Sequence, residues 1–460
     1  MNRHTYTIEL IAQHMENSGQ TVLEMIEVLK NQGIVSLNEE VRSSIDKTQV
    51  AYENLLRMFK VFDLNDSDKH VLKILSLMPL SGVDVKDLRN WLGVSALKVL
   101  KNLENRSWIT SSSNGIALHP IIRDVVRHEL PLAEEEAKPF LDAFNETIKE
   151  EKSWHYPIGV KSYYADIASE ILQRFGSIDE ITLPLLKSVE LLYSFSVKPG
   201  LAIELGKKLF EYFAKVEGEK SFLCAYYAFQ IGWTYLFNLH LSNSIQNAKD
   251  WFERSYTLFD GLPLDGIDEY AAYGHLLTHL CRIDLLLYGK TLDSSLLSQA
   301  KRYAEMAVAN AEAHLNKGTR HYSRLAVAYM QLSDYYSLTK EFGLALELID
   351  KAYDIMFSLW GENDPDTLNV SSSKVMALCG LGRFKEALEI GSKNLDFYSN
   401  FYGEMNIFTF RQMVTVYKCY IELGDQEGIA KLRERVLKIG RALLAEHSDQ
   451  LKEIEKLSAA

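Results

Sequence analysis

Cysteine, proline and recognisable catalytic motifs are all scarce in this 460-residue chain, and each scarcity narrows what it can do. The four cysteines (Cys224, Cys281, Cys379, Cys419) lie far apart in sequence, with no C-x-x-C pair and no metal spacing. They exclude a disulfide framework and read as reduced, buried thiols of a cytoplasmic protein. No apolar run reaches transmembrane length, and the opening "MNRHTYTIELIAQHMENSG" is too polar to be a signal peptide. The histidines are scattered, with no H-E-x-x-H, and no Ser, Cys or His arrangement marks a nucleophile. The nearest approach to a phosphate-binding loop is "GLAIELGKK" at Gly200–Lys208. It has five residues between its glycines and Lys208 in place of Ser or Thr. It falls inside a helical pattern, where its amides are committed to helix bonds and cannot cradle a phosphate. An enzyme is therefore not expected within these residues, nor a metal site or a cofactor of its own.

What is present is helix. With 47% hydrophobic residues, 24% charged residues and nine prolines, the composition is that of a soluble globular protein. The length implies two to four domains or a repeat array. In "YTIELIAQHMENSG", Ile8, Ile11, Ala12 and Met15 share one face before Gly19, and "TVLEMIEVLKNQG" closes in the same way on Gly33. Residues 1–48 thus read as a helical segment.

The block 49–131 has a different grammar. Three short helical stretches, one of them with Asp84 and another with Ser95 as expected N-cap, precede "SWIT" and "GIALH" around an Asn-Gly hairpin signal. Three helices followed by a two-stranded wing is the order of a winged helix-turn-helix. Its expected recognition helix, "SALKVLKNLENR", offers Lys98, Lys101, Asn102, Asn105 and Arg106. The stretch 63–130 nevertheless sets nine Lys and Arg against eight Asp and Glu, and the whole chain carries a net charge of −12. That is a poor footprint for nucleic acid, and DNA is not expected as a partner. Residues 132–175, with the charge run Glu134–Glu136, read as a helical linker.

From there the chain repeats. "WGENDPDTL" at 360 returns as "YGEMNIFTF" at 402, and "GRFKEALEI" at 382 returns as "GDQEGIAKL" at 424, a period of 42 residues in both cases. Ala202, Ala248, Ala345 and Ala387 supply the small residue that a close helix crossing needs. A helix pair at such a period cannot bury its own apolar face and must stack on its neighbours, so residues 176–460 read as an α-solenoid. The repeats resemble tetratricopeptide repeats, and "WGENDPDTL…GRFKEAL" is similar to the kinesin-light-chain variety. Lys374 stands where that pattern prefers Leu, and Ile429 where it prefers Ala. The expected fold is all-α with a small β wing, a winged helix-turn-helix followed by tetratricopeptide-like repeats. Aligning the copies places Asp334, Asn369, Met376, Arg411 and Lys418 on the inner face of the first helices. Arg411 and Lys418 are candidates to hold a carboxylate-bearing peptide, so the expected partner is a protein or peptide.

A second resemblance covers the N-terminal part. "RHTYTIELIAQHM…TVLEMIEVLKNQG" resembles the helical domain that follows the P-loop core in NB-ARC or STAND-type signal-transduction NTPases, and the next block is similar to their winged-helix domain. Leu118-His119-Pro120 occupies the position of that family's Met-His-Asp signature. The resemblance implies that His119 reaches the phosphates of ADP in the intact protein and helps hold a resting state. An imidazole near neutral pH suits that contact. It also implies that the nucleotide core (ADP or ATP) lies upstream of residue 1, that the repeats form a sensor, and that the protein self-oligomerises on activation. Two other readings stay open: a transcription regulator of the winged-helix-plus-repeat type, and a free-standing tetratricopeptide adaptor.

Overall fold

The computed structural model describes residues 21, 24 and 64–459, apart from 107, 196–197, 239–240, 317–319 and 445–448. The helical segment expected over 1–48 lies outside the described residues except at two positions. There the Thr21 amide donates to Glu24 Oε2 (2.7 Å) and the Glu24 amide to Thr21 Oγ1 (3.4 Å), the reciprocal bonds of a capping box. The described chain is all-α apart from one two-stranded hairpin, and it divides into two compact units. The first comprises residues up to 147 together with 166–185, and the second 148–165 together with 186–460.

In the first unit, helices α1 (Asp66–Leu75), α2 (Val85–Leu92) and α3 (Ala96–Asn105) precede strands β1 (Ile109–Ser112) and β2 (Gly115–Leu118). Helices α4 (Pro120–Glu129) and α5 (Glu134–Ile148) follow. Asp84 caps α2 as expected, its carboxylate accepting the Lys86 amide at 2.7 Å. Ser95 does not cap α3. Its backbone is already helical and its side chain makes no cap bond, because the turn that follows Gly93 carries the chain straight into the helix. The hairpin turn is also displaced by one residue. Ser112 pairs with Gly115, so Ser113-Asn114 forms the turn and Gly115 opens the strand. Val83 then adds a third rung, exchanging backbone hydrogen bonds with Ile116 at 2.9 and 2.8 Å.

The unit's core is Leu72, Ile74, Leu75, Leu88 and Leu103, closed by Ile122, Val125 and Val126 of α4. Trp91 of α2 packs edge-on against Phe144 of α5 at 5.3 Å and donates its indole N–H to Thr147 Oγ1 (2.9 Å). Buried Asp68 faces Arg106 Nη1 (3.4 Å) and Asn102 Nδ2 (3.5 Å), so two of the five polar residues expected on a DNA-reading helix are turned to an internal carboxylate.

The second unit opens with the short helix α6 (Glu150–Ser153). Helices α7 (Ile158–Leu172) and α8 (Leu183–Ser194) each run across a boundary between the two units. The unit continues as a stack of helical hairpins: α9 (Pro199–Val216), then α10 (Phe222–Phe237) with α11 (Ser244–Phe259), and α12 (Ile267–Thr291) with α13 (Ser294–His314). These are followed by α14 (Ser323–Leu338) with α15 (Phe342–Trp360), α16 (Pro365–Gly380) with α17 (Phe384–Phe401), and α18 (Ile407–Leu423) with α19 (Gln426–Leu443). Helix α20 (Asp449–Ala459) packs on α19. First helices begin at 323, 365 and 407, and second helices at 342, 384 and 426, so the 42-residue period of the sequence is the period of the fold.

The small-residue positions are crossings. Ala202, Ala248, Ala345 and Ala387 are fully buried. In the last copy the close approach moves one residue, from Ile429 to Gly428, where an added Cβ would lie 2.2 Å from the Tyr420 ring. Lys374, in place of Leu, pairs with Asp350 at 2.7 Å and lies 5.6 Å from the centre of the Tyr353 ring. The look-alike phosphate loop is helical, inside α9. Its Gly206 sits where a Cβ would be 3.0 Å from Ile231 Cγ1, so a helix crossing accounts for the glycine.

Candidate functional site

Successive first helices touch one another (α10 with α12, α12 with α14, α14 with α16, α16 with α18), whereas successive second helices make at most marginal contact. First helices therefore line the inside of the curve. Each sequence-predicted groove residue sits on one of them: Asp334 on α14, Asn369 and Met376 on α16, Arg411 and Lys418 on α18.

They do not act as one group. Asp334 accepts a hydrogen bond from Ser373 Oγ (3.0 Å) and interacts with Arg411 and with Arg282 of α12. Burial pushes the Asp334 carboxyl up to about 6 against the pull of the two arginines. Burial, followed by the repulsion of Arg282, brings Arg411 down to about 10. All three side chains are half-buried. Asn369 instead contacts Met330 Sδ (3.7 Å), and Met376 is half exposed. Lys418 lies two turns beyond Arg411, where its charge acts on Cys379. The cysteines are not all isolated, contrary to their sequence spacing: Cys379 Sγ is 3.3 Å from Cys419 Sγ, because α16 and α18 are neighbouring first helices.

Deeper in the same face lies a histidine pair that the sequence did not single out. His279 Nε2 is 3.0 Å from His275 Nε2, which is itself 3.2 Å from Arg324 Nη1. One nitrogen facing two donors must be the acceptor, so His275 is neutral there and His279 carries its proton on Nε2. His279 Nδ1 is left buried without a partner, against the Phe229 and Phe252 rings. Burial, with the nearby arginines, holds both imidazoles well below their ordinary value. The unfolded chain takes up protons as the pH falls through about 6.5, and the folded pair refuses them, so this pair costs stability on acidification. We expect the ring carbon shifts of His275 and His279 to stay constant by NMR between about pH 8 and 5.5. A titration in that range would show that the pair is charged.

The segment 148–165 adds a further wall within this unit. Lys161 is almost fully buried, donates to the Trp154 carbonyl (3.0 Å) and lies 5.3 Å from the centres of both the Phe195 and Phe401 rings. Burial brings its ammonium down to about 8, opposed by Asp366. His155 Nδ1 meets Asp364 Oδ2 at 3.2 Å beside an open cleft of about 520 Å³ edged by Trp360, Phe397 and Phe401.

In the first unit, His119 stands between the end of β2 and Pro120, the first residue of α4, and its carbonyl accepts the Arg123 amide at 2.9 Å. Its imidazole is half-buried, and burial lowers its basicity.

No known protein family matches the sequence, and no curated protein matches it. Among solved structures, BtubC (BKLC) from P. vanneervenii is 14% identical with a TM-score of 0.39, over 55% of this chain and 94% of that one. A putative kinesin light chain with nearly identical TPR-like repeats from Podosopora anserina is 15% identical with a TM-score of 0.32, over 48% and 96%. A Signal Transduction ATPase with Numerous Domains (STAND) protein with a tetratricopeptide repeat sensor, from Pyrococcus horikoshii, is 14% identical with a TM-score of 0.36, over 98% and 74%. The tetratricopeptide-like fold stands on the spacing and stacking of this chain's own hairpins. Among the described residues, no helix is long and apolar enough to cross a membrane.

Three of the residues missed by sequence reasoning share a cause. Arg282, His275 and His279 all lie on α12, a 25-residue helix outside the 42-residue register, so copy alignment does not reach them.

Proposed function

We propose that this chain is the regulatory and sensing portion of a STAND-type NTPase switch, in which the repeats capture a protein or peptide ligand. The observation that carries the sensing role is the inner face of the first helices. It is lined by half-buried charged groups, Arg282, Asp334 and Arg411, where a purely structural crossing would place apolar ones. Ligand capture shifts a switch only if the ligand prefers one of its two states, so the repeats must contact the ligand differently in the two.

The helices α1 to α3 and their hairpin act as the winged helix that stabilises the ADP-bound resting state. His119 supports this part of the reading, since it sits at the strand-to-helix joint with its basicity lowered by burial, and an imidazole can donate to a phosphate oxygen. The output of such a switch is oligomerisation, with its effector outside this chain.

The test is genomic and then biochemical. The reading frame upstream of the Met1 codon should encode a P-loop, and in the longer protein His119→Ala should release bound ADP at least about tenfold faster. An in-frame stop codon directly upstream overturns the switch and leaves an adaptor. Unchanged ADP retention in the variant removes His119 from the mechanism.

A further inference from the structure

We propose that Cys379 and Cys419 form a peroxide-responsive dithiol, which oxidises to a disulfide and latches two neighbouring repeats together. The inference stands on the position of the two sulfurs and does not depend on the switch reading.

The two cysteines are 40 residues apart, each near the end of a first helix. Cys379 is one residue before the end of α16, and Cys419 is one turn before the end of α18. Because these helices are neighbours, Sγ meets Sγ at 3.3 Å. Closing that gap to a covalent bond needs each sulfur to move by less than about 1 Å, within reach of a side-chain rotation. Cys419 is buried against Val375, Leu378 and Ala387, whereas Cys379 is half-buried beside exposed Gly380 and Leu381. The pair thus has one sulfur within reach of a small oxidant and one shielded from it. Cys224 and Cys281 differ. Both are buried, with Sγ 3.6 Å from the Gly218 carbonyl oxygen and 4.0 Å from that of Gln331, and burial pushes both thiols up.

The Cys419 thiol donates to Cys379 and holds it below its ordinary value, helped by the Lys418 charge and opposed by burial. Cys379 therefore supplies the thiolate, which is the attacking form. Its sulfur attacks one oxygen of a peroxide and the O–O bond breaks. Hydroxide leaves with the proton that Cys379 gave up, as water, and the sulfur, oxidised by two electrons, becomes a sulfenic acid. Cys419 then loses its proton and attacks the Cys379 sulfur, forming the S–S bond and expelling the hydroxyl as a second water. Two thiols and one hydrogen peroxide give one disulfide and two waters. A dithiol reductant reverses the change by exchange. The bond ties α16, which carries Asn369 and Met376, to α18, which carries Arg411 and Lys418, so oxidation fixes the spacing of these inner-face residues.

The experiment treats the reduced full chain with hydrogen peroxide and maps its tryptic peptides without reduction. Peptides 375–383 and 419–431 should appear joined, in a monomer about 2 Da lighter than the reduced chain, and dithiothreitol should separate them. Cys224 and Cys281 should remain thiols. In Cys419→Ser, dimedone should capture a sulfenic acid on Cys379, whereas Cys379→Ser should leave Cys419 unmodified. Amide exchange in α16 and α18 should slow about tenfold in the oxidised chain. The mapping needs no variant, so it decides the matter even if a substitution fails to fold. Four free thiols after treatment, a link to Cys224 or Cys281, or a link between two copies of the chain overturns the dithiol. Unchanged exchange in a correctly linked chain overturns the latch.

Discussion

Replacing Glu190 by glutamine should stabilise the protein, and the gain should grow as the pH rises. Glu190, on α8, is 1% exposed. Its Oε1 accepts from Ser194 Oγ at 3.3 Å, while Oε2 has no partner. Burial, reinforced by the charge of Glu150, raises its carboxyl from 4.5 to about 8. The sign follows from proton linkage. Between about pH 4.5 and 8 the folded state keeps a proton that the unfolded chain has released, so stability falls as the pH rises, by about 1.4 kcal/mol per unit. Glutamine has no proton to lose. The variant should therefore gain about 3 kcal/mol over the unaltered chain near pH 7, much less near pH 5, with a plateau above about pH 8. The neighbouring hydroxyl pair, Ser194 Oγ to Thr234 Oγ1 at 2.8 Å, is retained in the variant. Denaturant melts of both proteins at several pH values decide it. A difference that stays flat with pH would mean that Glu190 does not titrate as its burial requires.

The second large effect is local and of opposite sign. Gly115 has φ +105°, and an added Cβ would lie 2.1 Å from the Val83 carbonyl oxygen, which is backbone and cannot rotate away. That carbonyl is the acceptor of the Ile116 amide, the bond that attaches the hairpin to the strand-like turn at Val83. Gly115→Ala should thus cost about 3 kcal/mol or more, combining backbone strain with a collision. Amide exchange at Val83 and Ile116 should accelerate about 100-fold. Gly424→Ala separates the two contributions. It also has a left-handed backbone (φ +67°), but nothing lies within 4 Å of its added methyl, so its cost should be about 1 kcal/mol. Equal losses at the two positions would mean that the Val83 contact is relaxed at little cost.

The solenoid was legible because its determinants repeat: small residues at crossings, and a turn ending in an Asp or Asn cap before the first helices α16 and α18. Asp364 and Asn406 accept the Asp366 and Phe408 amides at 2.9 and 2.8 Å, 42 residues apart. The hairpin was legible in kind, although its turn lies one residue earlier than the Asn-Gly signal suggested, because Gly115 is required for its approach to Val83. Of the site, Asp334 and Arg411 were readable as members of the repeat pattern. Their partner Arg282 was not, because it sits on α12, a 25-residue helix outside the 42-residue register. The Cys379–Cys419 contact escaped for a different reason: the cysteines were read for disulfide and metal motifs, whereas their separation of 40 residues, close to one repeat, sets them on neighbouring first helices.

A simple stack of hairpins is a spring whose ends fray independently, each layer answering only to the next. This one is clasped. Phe237, at the end of α10, touches Phe408, at the start of α18, with three intervening hairpins between them. That contact closes a loop of 171 residues. The hairpins between α10 and α18 cannot spread without breaking that tie, so loss of a middle hairpin should loosen both sides of it together.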